Sequence, residues 1–531
     1  MKKKSTTLLV LLLTIAAAGF SSLDARAQKA NWQNLDLKTD SVFGISTEKA
    51  YQQLLAHKKA TTVLVAVIDG GVDTAHEDLK PIIWVNPKEE AGNGKDDDHN
   101  GYIDDLHGWN FIGGPKGDVN YDNLEMVRII RRDKPRYDTL TEATVPAGER
   151  TAWEAYRKMD SDYSKNLENA KNTLQGINGF KSVLDGVLTK IGKDSPTLED
   201  FENFKPQGPG ETHIRRIVVG ELKKDPDFQK FKVDELEEAI KHFQVQVDYQ
   251  YNLSFDPRPI VGDNYNNAEE RNYGNADVTG PNADHGTHVS GIIGAVRDNA
   301  IGIKGVADHV RIMAIRVVPD GDERDKDVAN GIRYAADNGA KVINMSFGKG
   351  YTWNKQAVDE AVKYALSKDV LLIHAAGNDG KDLEKETNYP TRVYADGSGM
   401  ADAWIEVGAS GPDDDSTLVA SFSNFGKAKV DVFAPGVSIY STTPGSHYAN
   451  HDGTSMASPV VAGLAALIRE YYPKLKANQV KDIIMRSVVK PTHTVSVMVD
   501  GAPHQVMLSD LCVSGGVVNT YQALQLAETY K

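Results

Sequence analysis

Val63-Leu64-Val65-Ala66-Val67-Ile68-Asp69 is the stretch whose reading decides the fold. Six apolar residues in a row, mostly β-branched and without polar alternation, predict a short strand buried on both faces. Similar runs recur at Val310 to Val318, Lys341 to Met345, Val370 to Ala375 and Ile405 to Val407, with helical patterns between them. After His285, residues Val289, Ile292, Ile293 and Val296 fall at helical spacing, and after Ser455 so do Val460, Val461, Leu464, Leu467 and Ile468. Strands that alternate with helices imply an α/β fold of three layers, with a mostly parallel central sheet covered on both faces.

Three of these elements begin or end on residues that carry chemistry. Asp69 closes the first run, His285 opens His285-Gly286-Thr287-His288-Val289-Ser290-Gly291, and Ser455 lies in Gly453-Thr454-Ser455-Met456-Ala457-Ser458-Pro459. A serine hydroxyl is a weak nucleophile until a base takes its proton, and the base needs a carboxylate to hold its tautomer. The three motifs, in the order Asp, His, Ser, resemble those of the subtilases, the subtilisin-like serine peptidases of family S8. The resemblance covers roughly residues 60–115 and 255–525.

The resemblance implies a subtilisin-like fold and a secreted serine endopeptidase with Asp69, His285 and Ser455 as its triad. Of the two histidines in the motif it assigns catalysis to His285, leaving His288 as a packed neighbour. It implies Asn378, at the end of His374-Ala375-Ala376-Gly377-Asn378, as a side-chain donor to the oxyanion, with the backbone N–H of Ser455 as the second. Ser346-Phe347-Gly348 resembles the edge to which an extended peptide substrate adds as a strand. Asn388-Tyr389-Pro390 resembles the rim of the S1 pocket, with Asn388 where small residues are frequent. Asp69-Gly70-Gly71 departs from the family in carrying glycine where most members have serine or threonine. The alternative within the family is a catalytically silent peptide-binding protein. An α/β-hydrolase esterase would need a G-x-S-x-G elbow and the order Ser, Asp, His, and both are missing.

Two stretches suggest structural calcium, which takes six to eight oxygen ligands. Asp298 to Ala307 is similar to a calcium loop of the subtilases, where Asn299 would give its side-chain oxygen and Asp78 would reach across; a metal-free turn is the rival. In Asp96-Asp97-Asp98-His99-Asn100-Gly101-Tyr102-Ile103-Asp104-Asp105, the residues Asp96, Asp98, Asn100 and Asp104 occupy positions 1, 3, 5 and 9 of a calcium-loop pattern, with Gly101 at the sharp turn. Position 12 is His107 rather than glutamate, so the loop is no EF-hand, and a solvated acidic turn is the rival.

The 531 residues carry a formal charge of −14, which argues against a general nucleic-acid binder. Met1-Lys2-Lys3-Lys4, the apolar stretch Leu8 to Phe20 and Ala25-Arg26-Ala27 read as a signal peptide over residues 1–27, so export to the periplasm, cell surface or medium is expected, with no stable membrane anchor. Residues 28–60 form a short lead segment, too short for an ordinary inhibitory pro-segment. Residues 61–114 and 255–525 make up the predicted catalytic domain. Between them, residues 115–254 read as a predominantly helical insertion: Trp153, Tyr156, Met159, Tyr163 and Leu167 recur at helical spacing, and Asp234 is expected to cap a helix bearing Leu236, Ile240 and Phe243. With Cys512 as its single cysteine the chain forms no internal disulfide.

Overall fold

The computed structural model of the protein describes residues 29–499 and 501–530; the expected signal peptide lies outside them. The chain forms two compact units, one spanning Met126–Phe255 and the other containing the residues on either side of it.

The larger unit is built on seven strands: β1 (Val63–Asp69), β2 (Gly108–Asn110), β3 (Val310–Arg316), β4 (Val342–Met345), β5 (Leu371–Ala375), β6 (Trp404–Ser410) and β7 (Val432–Pro435). They lie in the order β2-β3-β1-β4-β5-β6-β7, and every pair is parallel. Side chains along β1 alternate between two cores. Val63, Val65 and Val67 pack with helices α1 (Asp284–Gly294) and α4 (Thr454–Tyr471). Ala66 and Ile68 pack on the other face with α2 (Asp325–Asp337) and α3 (Lys355–Ser367). Both faces are therefore dry, which is why the run shows no polar alternation. Each fully buried Val or Ile contributes about 1.5–3 kcal/mol of transfer free energy, so one polar residue in β1 would cost the sheet heavily.

The lead segment folds onto this unit. Asn519 donates to the Ser46 hydroxyl at 2.8 Å, and Thr47 and Thr520 share a hydroxyl bond of 3.0 Å. Cys512 is buried at 1% exposure among Leu508, Leu511 and Val517, and burial raises its thiol pKa.

The unit Met126–Phe255 is helical, with a 42-residue helix, Arg150–Ile191, and a second, Pro209–Leu222, sharing a core of Ile177, Phe180, Leu184, Phe201, Ile214 and Val218. Tyr156, Met159 and Tyr163 are buried as their spacing predicts, while Trp153 and Leu167 are half-buried. Arg131 ties the ends of the unit together, donating to the carbonyls of Leu253 and Phe255 at 2.8 and 2.5 Å. Asp234 does not cap a helix; it sits inside the wide turn Phe231–Glu237. The cap is Asp227, whose carboxylate accepts from the N–H groups of Gln229 and Lys230, so the helical path starts earlier than its apolar spacing suggests.

Candidate active site

In a parallel sheet the loops that follow the strands gather at one edge, and the residues singled out above leave from there. Asp69 ends β1, Ser346 follows β4, and Asn378 follows β5. His285 lies in the first turn of α1 and Ser455 in the first turn of α4.

Asp69 is 2% exposed, and its carboxylate accepts from Nδ1 of His285 at 2.8 and 3.0 Å. Both contacts require a proton on Nδ1, which leaves Nε2 as the free acceptor of a neutral ring. The approach is close: a Cβ on Gly286 would lie 2.2 Å from the Gly71 carbonyl and 3.1 Å from Cβ of Asp69. Burial pulls the His285 pKa down, but the Asp69 charge and hydrogen bond outweigh it and hold it above the ordinary value of 6.5. His288 differs. Its Nε2 donates to the carbonyls of Ile439 and Ala449 at 2.9 and 3.1 Å, and burial, with His451 beside it, pushes its pKa down to about 3. It is a neutral structural group.

Ser455 directs its hydroxyl to the Ser346 carbonyl at 3.2 Å, and Ser346 returns a bond from its own hydroxyl to the Ser455 carbonyl at 2.9 Å. Asn344 donates to the Ser346 hydroxyl at 3.0 Å and accepts from Ser458 at 2.8 Å, so the start of α4 is fastened to β4 by side chains.

Asn378 is oriented by Thr454. The N–H and hydroxyl of Thr454 both donate to Oδ1 of Asn378, at 2.8 and 2.9 Å, and the same hydroxyl accepts from the Gly377 N–H at 3.0 Å. A backbone N–H is always a donor, so Oδ1 is assigned and Nδ2 points the other way. Its target is the space over Gly453, where φ is +152°: a Cβ there would lie 3.5 Å from both Asn378 Nδ2 and the Ser455 backbone nitrogen. The Asn378 amide nitrogen and the Ser455 backbone nitrogen thus lie equally near one point beside Gly453.

The profile of the subtilase family matches residues 60–506. The chain belongs to the subtilase family. This is a family of serine-type endopeptidases. Subtilisin DY from Bacillus licheniformis is 45% identical over 202 residues, covering 37% of this chain and 68% of that protein. A thermophilic serine proteinase from Bacillus sp. (strain AK1) is 45% identical over 185 residues, covering 35% of this chain and 42% of its own length. Thermitase from Thermoactinomyces vulgaris is 43% identical over 185 residues, covering 35% of this chain and 60% of that protein.

This subtilase also carries positioning residues to which the sequence reading gave no role. Thr454 and Asn344 are two. Arg316, at the end of β3, is a third: it is 1% exposed and donates Nε–H to the Gly70 carbonyl at 2.7 Å and Nη1 to Asn110 at 3.2 Å, which shapes the turn after Asp69. Burial lowers its pKa to about 10. An arginine ending an apolar strand was the available signal.

Phe347 and Gly348 lie outside any strand pairing, while Lys349 bridges to Tyr389. Asn388 reaches between two glycines: a Cβ on Gly348 would lie 2.3 Å from its Oδ1, and one on Gly377 would lie 3.5 Å from its Nδ2. It donates to the Ala375 carbonyl at 3.0 Å.

Asp78 and Asn299 come together, but with the amide reversed from the expected sense. Asn299 Nδ2 donates to Asp78 at 2.6 Å, and its oxygen accepts from the Ile301 N–H at 3.2 Å. Asp78 is fully buried with neutral hydrogen-bond partners, and desolvation raises its pKa. Lys304 does not fill the place of a cation there, since it pairs with Glu48 at 3.7 Å. In the acidic loop the structure gathers Asp96 and Asp98 with Glu89, their oxygens within 4.8 Å of one another. Asp104 is elsewhere, accepting from the N–H groups of Asn93 and Gly94 at 3.1 and 2.9 Å, and Asn100 spends its oxygen on the Tyr102 N–H at 2.8 Å. Turn chemistry, in which Asx side chains bond nearby backbone, competes with the ligand pattern here.

Proposed function

We propose that this subtilase is an exported endopeptidase that cleaves peptide bonds through an acyl-enzyme formed on Ser455. The observation that carries the proposal is the nearness of Asn378 Nδ2 and the Ser455 nitrogen to one point beside Gly453, together with an Asp69–His285 hydrogen bond that fixes the imidazole tautomer. After rotation toward His285, the Ser455 hydroxyl attacks the scissile carbonyl and its proton passes to Nε2 of His285. Asp69 holds the resulting imidazolium, and the two donors hold the oxyanion. Collapse breaks the C–N bond, and the amine leaves with the proton from Nε2. Water then attacks the ester, giving its proton to the same nitrogen, and the acid departs as Ser455 regains a hydrogen.

The substrate would add as an extended strand along Ser346-Phe347-Gly348. Asn388, seated between Gly348 and Gly377, would narrow the rim of the S1 pocket and favour small P1 residues. Replacing Asn388 with glycine is expected to shift the ratio of kcat/KM for phenylalanine against alanine at P1 by about tenfold or more. An unchanged ratio would place the pocket elsewhere.

Export rests on the reading of residues 1–27; among the described residues no helix is long and apolar enough to cross a membrane. Calcium would be structural. Asp78 with Asn299, its amide turned, and Glu89 with Asp96 and Asp98 are oxygen donors that fit a hard cation. Bound there, the ion would neutralise the charge of the buried Asp78 or of the half-buried acidic loop.

The deciding experiment is labelling with a fluorophosphonate probe together with digestion of a peptide library, for the protein and its Ser455→Ala variant. Labelling and cleavage that both vanish in the variant support the proposal; a protein that does neither in calcium buffer sinks it.

A further inference from the structure

The backbone that follows β4 is held at both ends and open in the middle. At one end Ser346 is bonded to Ser455 and to Asn344. At the other, Lys349 exchanges two backbone bonds with Tyr389, its N–H donating at 3.1 Å and its carbonyl accepting at 2.8 Å. Phe347 and Gly348 between them have no strand partner, and Gly348 is exposed. The next side chain is not: Lys349 is 1% exposed, its ammonium turned away from water into the larger unit.

That burial is matched by partners. The Lys349 ammonium donates to Glu125 at 2.9 Å and to the Glu323 carbonyl at 2.6 Å, and it lies 2.7 Å from Oδ1 of Asp325, so three oxygens meet its three hydrogens. The two carboxylates are buried and held in turn. Glu125 accepts from the Trp353 N–H at 3.1 Å, and the other oxygen of Asp325 accepts from the Thr352 hydroxyl and the Asn354 N–H, each at 2.6 Å. Asp325 begins α2 and Asn354 caps α3, so the Lys349 stem is anchored to helices that pack on the sheet. Burial would raise the Asp325 pKa, but the charge and hydrogen bond of Lys349 outweigh it and hold the carboxyl below its ordinary value. A lysine stem has four carbons of freedom to lose, and losing it fixes the backbone that carries it.

We propose that Lys349 is a positioning residue for the substrate: clamped by Glu125 and Asp325, it fixes the far end of Ser346-Phe347-Gly348 so that an extended peptide can add there. The proposal rests on the reading of that segment as the substrate edge. Because Ser346 touches Ser455, the scissile bond lies at the Ser346 end, and substrate residues beyond P1 lie toward Gly348 and Lys349. Lys349 also ties the edge to Tyr389, the neighbour of Asn388, whose side chain leaves no room for a Cβ on Gly348. Binding energy from remote substrate residues speeds the reaction only when the surface they dock on is held in place. A lysine that merely joined two helix starts would add stability without regard to substrate length.

The test measures kcat/KM of the full chain for two esters that share P1 and leaving group, one with four residues before the scissile bond and one with a single residue. Lys349→Met is expected to lower the ratio of the longer to the shorter by about tenfold or more. Glu125→Gln, which leaves Lys349 its Asp325 partner, should lower it by about threefold or more. Fluorophosphonate labelling of each variant checks that Ser455 is competent, and thermal melts check the fold. A ratio within about twofold of the parent in a folded, labelled Lys349→Met, or an equal loss on both esters, overturns the role of Lys349 and leaves the peptidase reading standing. A parent that cleaves neither ester overturns that reading and this proposal with it. Should Lys349→Met fail to fold, Glu125→Gln decides alone.

Discussion

At the strand ends of the larger unit, buried polar side chains fix their neighbours: Thr454 holds the exposed Asn378, Ser346 holds the half-buried Ser455, and Asn344 joins Ser346 to Ser458. In the helical unit Met126–Phe255 ion pairs lie at the surface. Lys158 meets Asp162 at 3.0 Å with side chains 78% and 42% exposed, and Lys181 meets Asp185 at 2.8 Å. Thr454, Ser346, Asn344 and Ser458 are buried and have no water to fall back on, so their geometry is dictated; the surface pairs exchange their partners for solvent at little cost. Position matters in one region and only solubility in the other.

The sharpest break of that contrast is Ser455→Ala, expected to lower kcat by about 10⁶-fold while leaving the melting midpoint nearly unchanged. Kinetics and calorimetry on one preparation check it, and a residual rate within tenfold of the parent would mean that the strand ends are not the reactive region. Asn378→Ala comes next, with an expected fall in kcat of about 10²–10³-fold and little change in KM. Thr454→Val, which keeps the shape and removes the hydroxyl bonds, should give a smaller loss in kcat, about tenfold, because Nδ2 is still present but less well aimed.

The pH profile sharpens the comparison further. His285 accepts a proton only when neutral, and its pKa is held above 6.5, so kcat/KM should fall as pH drops through that raised value. Asp69→Asn should move this limb to lower pH as well as reduce the rate. The same shift has a stability consequence of fixed sign: charged His285 is favoured in the fold, so its contribution is full below 6.5 and is lost as pH rises through the raised value. Smallest of all, Lys158→Ala in the helical unit should change stability by less than about 0.5 kcal/mol, measured by denaturant titration.

Much of this was legible in the residues. An apolar run without alternation meant a two-faced strand, and β1 is one, because the physics of a covered sheet leaves a period-free signature. Asp78 and Asn299, expected as joint calcium ligands, meet instead through a hydrogen bond from the Asn299 amide. The failures share a cause. Asp104 matched a ligand position but bonds the backbone of Asn93 and Gly94 instead, and Glu89, outside the pattern, joined Asp96 and Asp98. Asp227 rather than Asp234 caps its helix. In each case a short side chain chose among nearby N–H groups, a competition that spacing does not record.

By itself, then, the sequence determined the layered α/β architecture, the family and the residue types available for chemistry, because burial and helix periodicity are written in local order. Only the tertiary structure decided the aim of those residues: the Asn378 amide turned by Thr454, the Ser455 hydroxyl resting on Ser346, Asn388 wedged between two glycines, and Lys349 brought to Glu125 and Asp325. Hydrogen-bond direction and contact between remote segments depend on which backbone lies opposite, and that is set when the strands and helices pack.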